Sequence, residues 1–276
     1  MKFIKIGLLL LLILTTGMFA YFKIKQSKVT ISNPPVIEDS IKILHVNSDF
    51  TYDDLYEGLT ATDDVDGDIT DQIMIGEISS LSENNTASYN CVVFDSDGQC
   101  SEFNRKMVID DYAHPRIYLT SPLLYYTIEK VSGLPRSQFI ALDKIDGDIT
   151  DKIEFSGKTV DFTEYGDYSL TAKVENSFGD SVSYEFPVHV RDKSSPLFIY
   201  LSQYVVYCSL NSNFDPMRYV RETSNDLVTV QTPYDLSIRS NVDTSNPGVY
   251  EVEYTLSGET TSNPAITYLV VIVLEE

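Results

Sequence analysis

One phrase occurs twice in this chain, 80 residues apart. Residues 61–73 read ATDDVDGDITDQI and residues 141–153 read ALDKIDGDITDKI, identical at nine of thirteen positions. A repeat period of that length implies a string of similar small units, each burying its own core, in place of one large fold. A proline follows a polar connector at the start of each unit: Asn33-Pro34-Pro35, then His114-Pro115, then Ser194-Ser195-Pro196, at spacings of 80 and 81 residues. Proline has no amide hydrogen to give a ladder and suits the start of an edge strand. The expected organisation is a leader over residues 1–28 and repeats over 33–112, 113–192 and 193–276, the third divergent.

The end of each repeat gives an independent sign of class. Apolar residues alternate at Ala87, Tyr89, Cys91 and Val93, at Tyr168, Leu170, Ala172 and Val174, and at Tyr250, Val252, Tyr254 and Leu256. Period two means a half-buried strand. Turn residues follow at Asp95-Ser96-Asp97-Gly98 and Asn176-Ser177-Phe178-Gly179, and closing strands are expected over Phe103–Ile109, Tyr184–Val190 and Ile266–Val273. Pro, Gly, Asn and Asp punctuate the rest too often for an amphipathic helix beyond residue 28. The expected class is all-β.

The combination of D-G-D-I-T, a spacer of some 20 residues, a G-x-Y-x-V-x-Y strand and a D-S-x-G turn resembles a bacterial immunoglobulin-like repeat. That family occurs in tandem on Gram-positive cell-surface proteins and in some insecticidal crystal proteins. The resemblance extends over most of residues 35–275 and is strongest in the first two repeats. In the third, the acidic signature has become Ser224-Asn225-Asp226-Leu227-Val228-Thr229, and the proline and GVYEVEYTL carry the match. The resemblance implies three tandem Greek-key sandwiches and roles in display, spacing or adhesion, with no reaction.

Asp63, Asp66, Asp68 and Asp71, and their counterparts Asp143, Asp146, Asp148 and Asp151, are the densest acidic clusters. Alternating carboxylates around a glycine are candidate calcium ligands, because a hard cation takes six to eight oxygens. A full helix–loop–helix calcium site needs a bidentate Glu and flanking helices, and neither is present. The same pattern also describes a tight turn, with Gly67 and Gly147 supplying permissive backbone, aspartates bonding nearby N–H groups, and Ile69 and Ile149 filling the core.

Cys91 and Cys100 flank a hairpin and invite a disulfide in an exported chain. Strand parity argues against it: Cys91 faces inward with Tyr89 and Val93, while Ser101, Phe103 and Met107 face inward on the next strand and turn Cys100 outward. Cys91 then reads as a small core residue. His45, His114 and His189 have no partners at metal-ligand spacing, and G-x-S-x-G is absent, so no enzyme constellation emerges. Tyr125, Tyr126, Tyr200, Tyr204 and Tyr207 offer either a binding face or core positions with hydroxyls at the rim.

The leader places Lys2 and Lys5 before an apolar run, Ile6–Phe22, and Lys23, Lys25 and Lys28 after it. The run is long for a signal-peptide core and its cleavage sites are poor, so it reads as an uncleaved membrane anchor through residues 6–22; a cleaved leader would export the chain equally. The expected location is the cell membrane, single-pass with the C-terminal region outside, or secreted. Beyond residue 28 lie 15 basic and 41 acidic residues, a surface that repels nucleic acid. The expected function is adhesion, spacing or display through protein contacts. The alternative is a carbohydrate- or cell-wall-binding module in an envelope complex, and the partner is an extracellular protein or glycan.

Overall fold

The computed structural model describes residues 2–26, 33–127, 136–157, 160–225, 235–258 and 263–275. Residues 1 and 27–28 of the expected leader, and 226–229 of the altered signature and 276 of the third repeat, lie outside the described residues. The chain divides into two compact units.

The first unit comprises Met1–Leu44, Thr51–Ile78 and Ser88–Met107. Its N-terminal segment is a helix, α1 (Lys2–Gln26). Among the described residues no helix is long and apolar enough to cross a membrane, which overturns the expected single-pass anchor and membrane location. The physical reason is length and polarity. The apolar run of 17 residues rises about 26 Å, short of a hydrocarbon core of about 30 Å, and Thr15, Thr16 and Gly17 interrupt it.

Strands of the first repeat are β1 (Val36–Asp39), β2 (Leu44–Val46), β3 (Leu59–Asp63), β4 (Gly67–Asp68), β5 (Met74–Ile78), β6 (Thr86–Phe94) and β7 (Cys100–Ile109). In the first unit, β3 lies between β1 and β4 in one antiparallel sheet, and β6 lies between β5 and β7 in another. Tyr89, Cys91, Val93 and Met107 are buried from one sheet, and Leu59, Ala61, Ile69 and Ile73 from the other side of the chain's path.

The second unit comprises His45–Phe50, Ser79–Ala87 and Val108–Glu276. Repeat two contributes β8 (Arg116–Leu119), β9 (Leu124–Tyr126), β10 (Phe139–Asp143), β11 (Gly147–Asp148), β12 (Glu154–Ser156), β13 (Gly166–Glu175) and β14 (Ser181–Arg191). Repeat three contributes β15 (Leu197–Leu201), β16 (Val205–Cys208), β17 (Val220–Asn225), β18 (Asp235–Ser240), β19 (Gly248–Ser257) and β20 (Ala265–Val273). Their sheets run β11-β10-β8 and β12-β13-β14-β9 in repeat two, and β15-β17 and β16-β20-β19-β18 in repeat three. Within repeats two and three the described pairings are antiparallel except the short β9 on β14 and β16 on β20, which run parallel (His189 opposite Leu124, Val205 opposite Val270). The architecture is all-β sandwich.

Repeats two and three are fused by side chains. Val205, Val270 and Ile272 of repeat three are buried in the same apolar cluster as Ile117, Phe139, Leu170 and Phe186 of repeat two. Leu269, Val271 and Val206 point the other way into repeat three's own core with Val252, Tyr254 and Leu256. Strand β20 is therefore buried on both faces, which is why TYLVVIV shows no polar–apolar alternation.

Candidate functional site

The two acidic phrases form the same turn. In repeat one, Asp63 Oδ1 accepts the amides of Val65 and Asp66, each at 2.8 Å. Gly67 then takes φ +76°, a left-handed conformation that costs glycine little. Asp68 Oδ1 accepts the amide of Thr70 at 3.0 Å and its hydroxyl at 2.7 Å, and the Thr70 oxygen accepts the Ala61 amide at 3.0 Å. Ile69 is driven into the interior between them. Repeat two copies each contact: Asp143 with Ile145 and Asp146, Gly147 at φ +72°, Asp148 with Thr150, and buried Ile149.

The middle aspartate of each turn reaches to the hairpin between the last two strands of its repeat. Asp66 accepts both the amide and the hydroxyl of Ser96 at 2.7 Å, and Asp146 accepts those of Ser177 at 2.8 and 2.6 Å. The Ser96 amide and hydroxyl hold the Asp66 carboxyl below its ordinary range, and the Thr70 hydroxyl and amide do the same to Asp68. At Asp146 burial opposes the shift, but the Ser177 bonds and the Lys152 ammonium at 3.0 Å prevail. Asp148 is lowered by Thr150. Asp71 and Asp151 lie exposed on the following helical turns. Asp66 and Asp146 thus spend both oxygens on hairpin donors, and Asp68 and Asp148 each spend Oδ1 on the turn. Among the described residues, no group of three or more His, Cys, Asp or Glu side chains is placed to hold a metal ion.

In the second unit, polar side chains gather where the chain passes into repeat two. The Tyr112 hydroxyl donates to Asp180, accepts from Asn176 Nδ2 at 2.9 Å, and His114 Nδ1 lies 2.7 Å from Asp180. Burial and the Asp180 carboxylate push the Tyr112 phenol well up, keeping it a neutral donor. Asp111 accepts the Ser48 amide at 2.6 Å and pairs with Lys144 at 2.8 Å, while Phe50 meets the Phe178 ring edge-on.

A second polar cluster lies at the fusion of repeats two and three. His189 is buried, with Nδ1 2.8 Å from Asp167 and Nε2 2.7 Å from Glu251. Arg191 bonds Asp167 and the Tyr268 hydroxyl, each at 2.7 Å. Nearby, the Tyr207 hydroxyl accepts the Ile117 amide at 2.7 Å and donates to the Ile117 carbonyl at 2.9 Å, closing one position of the β8 edge. Two grooves open along this fusion. One, of about 480 Å³, is lined by residues including His114, Asp180, Tyr184, Val249 and Leu274; the other, of about 450 Å³, includes Tyr168, Glu185, Pro187, Asn241 and Tyr250.

The tyrosines do not share a face. Tyr125 is buried against Phe162, Tyr204 and Tyr207 pack on the repeat-two core, and Tyr200 is exposed. Tyr126 is half-buried on β9. All three cysteines are free thiols; Cys91 is buried and Cys100 exposed, as parity required, and Cys208 is half-buried.

Two features escaped the sequence reading. One is His189, whose partners Asp167 and Glu251 are 22 and 62 residues away and carry no local signal. The other is Arg105, 1% exposed on the inward face of β7. Its guanidinium bonds Asp39 through Nε at 3.0 Å and Nη2 at 2.9 Å, and also the carbonyls of Leu55 and Glu57 and the Tyr89 hydroxyl. The inward alternation Phe103, Arg105, Met107 marked this position as buried, and a buried arginine demands a carboxylate.

No family model matches the chain. It is 25% identical over 199 residues to the pesticidal crystal protein Cry22Aa of Bacillus thuringiensis, a match covering 70% of this chain. The chain spans about a quarter of that relative, 27% of its length. Solved structures that align include the extracellular domain of protocadherin GammaB4 (13% identity, 88% of this chain and 50% of that one, TM-score 0.21). Another is the CBM51-2 and INT region of Clostridium perfringens ZmpB, in complex with GlcNAc (14%, 87% and 41%, TM-score 0.23). A third is the lipoprotein BT2262 of Bacteroides thetaiotaomicron (10%, 86% and 98%, TM-score 0.21).

Proposed function

We propose that this chain is an exported spacer and adhesion protein built of three tandem immunoglobulin-like Greek-key domains, over residues 33–112, 113–192 and 193–276, and that it works by protein–protein contact and not by catalysis. The observation that carries this reading is the continuous core through repeats two and three. Val205, Val270 and Ile272 buried among Ile117, Phe139 and Phe186 make a stiff double unit, the mechanical property a spacer needs. The conserved-in-detail turns of repeats one and two support the same view, because their aspartates serve as internal acceptors that brace a strand connection. The partial likeness to Cry22Aa is in keeping with an Ig-like assignment. The strongly acidic surface favours a partner with a basic or neutral face.

The test is co-sedimentation of the purified full chain with intact bacterial cells and, separately, with purified cell-wall sacculi. Saturable binding to cells that protease treatment of the cells abolishes supports the proposal. Binding to sacculi that soluble wall sugar competes away replaces it with the glycan-binding reading. Turnover of a glycan or peptide substrate by the chain overturns its non-catalytic part.

A further inference from the structure

Apart from the Lys152–Asp146 pair, which Gln72 does not reproduce in repeat one, the two turns differ in one contact that matters here. In repeat two, Asp143 Oδ2 accepts a hydrogen bond from Asn176 Nδ2 at 3.1 Å, which ties the acidic turn to the hairpin. The counterpart of Asn176 in repeat one is Asp95. Both residues open their hairpins identically: Asp95 Oδ1 accepts the Gln99 amide at 2.7 Å, and Asn176 Oδ1 accepts the Asp180 amide at 3.0 Å. The Asp66–Ser96 and Asp146–Ser177 braces hold turn and hairpin together in the same way in both repeats. An amide donor in repeat two is thus replaced in repeat one by a second acceptor. Consistent with that exchange, Asp63 Oδ2 and Asp95 Oδ2 are both buried without a hydrogen-bond partner, and Asp95 as a whole is only 8% exposed.

A water-excluded carboxylate oxygen lacking a donor is costly, and two at one position are costlier. Something positive must stand where Asn176 Nδ2 stands in repeat two. We infer that Asp63 and Asp95 form a binding site for a hard divalent cation of the calcium class, present in repeat one and replaced in repeat two by the Asn176 amide. Each Oδ1 already accepts backbone amides, so the two Oδ2 atoms are the ones free to ligate, and water that enters with the ion completes the shell. Calcium accepts such irregular all-oxygen sets at long range, whereas magnesium demands a near-octahedral cage. The net charge of −21 raises the local cation concentration. With two protein oxygens the affinity belongs to the weak class of extracellular modules, Kd roughly 10⁻⁴–10⁻³ M. The site differs from the eight-aspartate set that the sequence suggests: it keeps Asp63, adds Asp95 from the hairpin, and leaves the other carboxylates to the turn.

Thermal unfolding of the full chain, with and without 10 mM calcium as on the order of ten to a hundred times Kd, tests the inference. Calcium is expected to raise the melting temperature of the wild-type chain by roughly 4–10 °C, reversibly with chelator. Asp95→Asn, which installs the residue native to repeat two, is expected to melt higher than wild type in chelator and to lose the calcium response. Asp63→Asn should lose that response as well. An absent wild-type response, or an equal response in Asp95→Asn, overturns the inference.

Discussion

His189 lies flat on Tyr268, ring centroids 3.7 Å apart and planes inclined by 14°, so that a side chain of repeat two stacks on one of repeat three. The imidazole is gripped at both nitrogens, by Asp167 of its own repeat and Glu251 of the next. Burial opposes ionisation of Asp167, but the bonds from His189 and Arg191 hold its carboxyl below the usual range. His189→Ala removes the stacked ring and leaves Glu251 facing the fusion without its donor. The expected loss is about 2–4 kcal/mol in urea unfolding. Faster hydrogen exchange is expected at the residue-189 amide, which bonds the Leu123 carbonyl at 2.8 Å.

Arg105 and Asp39 in repeat one correspond to Phe186 and Leu119 in repeat two, where both positions are apolar core. Removing one member of a buried pair strands the other charge, so Arg105→Ala should cost about 3–5 kcal/mol. Substituting both, Asp39→Leu with Arg105→Phe, copies repeat two and should recover most of that loss. A double-mutant cycle read by thermal unfolding measures the coupling. If the loss in the double variant equals the sum of those in Asp39→Leu and Arg105→Phe alone, the two residues are not coupled.

The period-two faces at Tyr89, Leu170 and Val252 were legible in the sequence, and so were the glycine turns at 67 and 147. Both depend on residues within a few positions of one another. The fusion of repeats two and three was not anticipated, because it rests on pairs such as Tyr207 with Ile117, 90 residues apart. One sign was present: TYLVVIV in β20 breaks the alternation, and a continuous apolar run in a strand means burial on both faces. The apolar run of the leader misled for the opposite reason. Composition identified a helix, while the rise of 17 residues fell short of a bilayer.

Thiol reactivity separates the cysteines. Burial pushes the Cys91 thiol up to about 11, so little thiolate exists near neutrality and the sulfur is also shielded. Cys100 is exposed. Brief alkylation of the native chain at pH 7.5 should modify Cys100 and spare Cys91, by at least about tenfold in rate given the suppressed thiolate. Peptide mapping by mass spectrometry reads the outcome, and equal labelling would mean that β6 opens readily.

The turn aspartates set an acid limit. Asp66, Asp68, Asp146 and Asp148 have folded-state values below their unfolded ones, for the reasons given above. The native state therefore binds fewer protons, and the stability these groups supply is fully present above the unfolded value of about 3.9. It is lost as pH falls through the folded values. The melting temperature should hold level from pH 7 to about 5 as far as these four contribute, and drop below about pH 4. Replacing the hairpin donors, Ser96→Ala with Ser177→Ala, weakens the preference for the ionised form. The variant should start from a lower stability at pH 7 and show a shallower acid decline.

The double burial of β20 makes a prediction that a simple sandwich does not. On a strand with one solvated face, truncating an outward side chain changes stability by no more than about 0.5 kcal/mol. In β20, Leu269 faces the core of repeat three and Ile272 faces that of repeat two, and both are nearly inaccessible. Leu269→Ala and Ile272→Ala should therefore each cost about 2–5 kcal/mol in equilibrium unfolding. Their consequences should differ in place. Leu269→Ala loosens the strands of repeat three, whereas Ile272→Ala opens a cavity in the core shared with repeat two and lowers protection there as well. Hydrogen exchange mapped along β14 distinguishes the two. Unchanged protection of β14 in Ile272→Ala would show that repeat three can detach without disturbing its neighbour, and the stiff double unit would lose its basis.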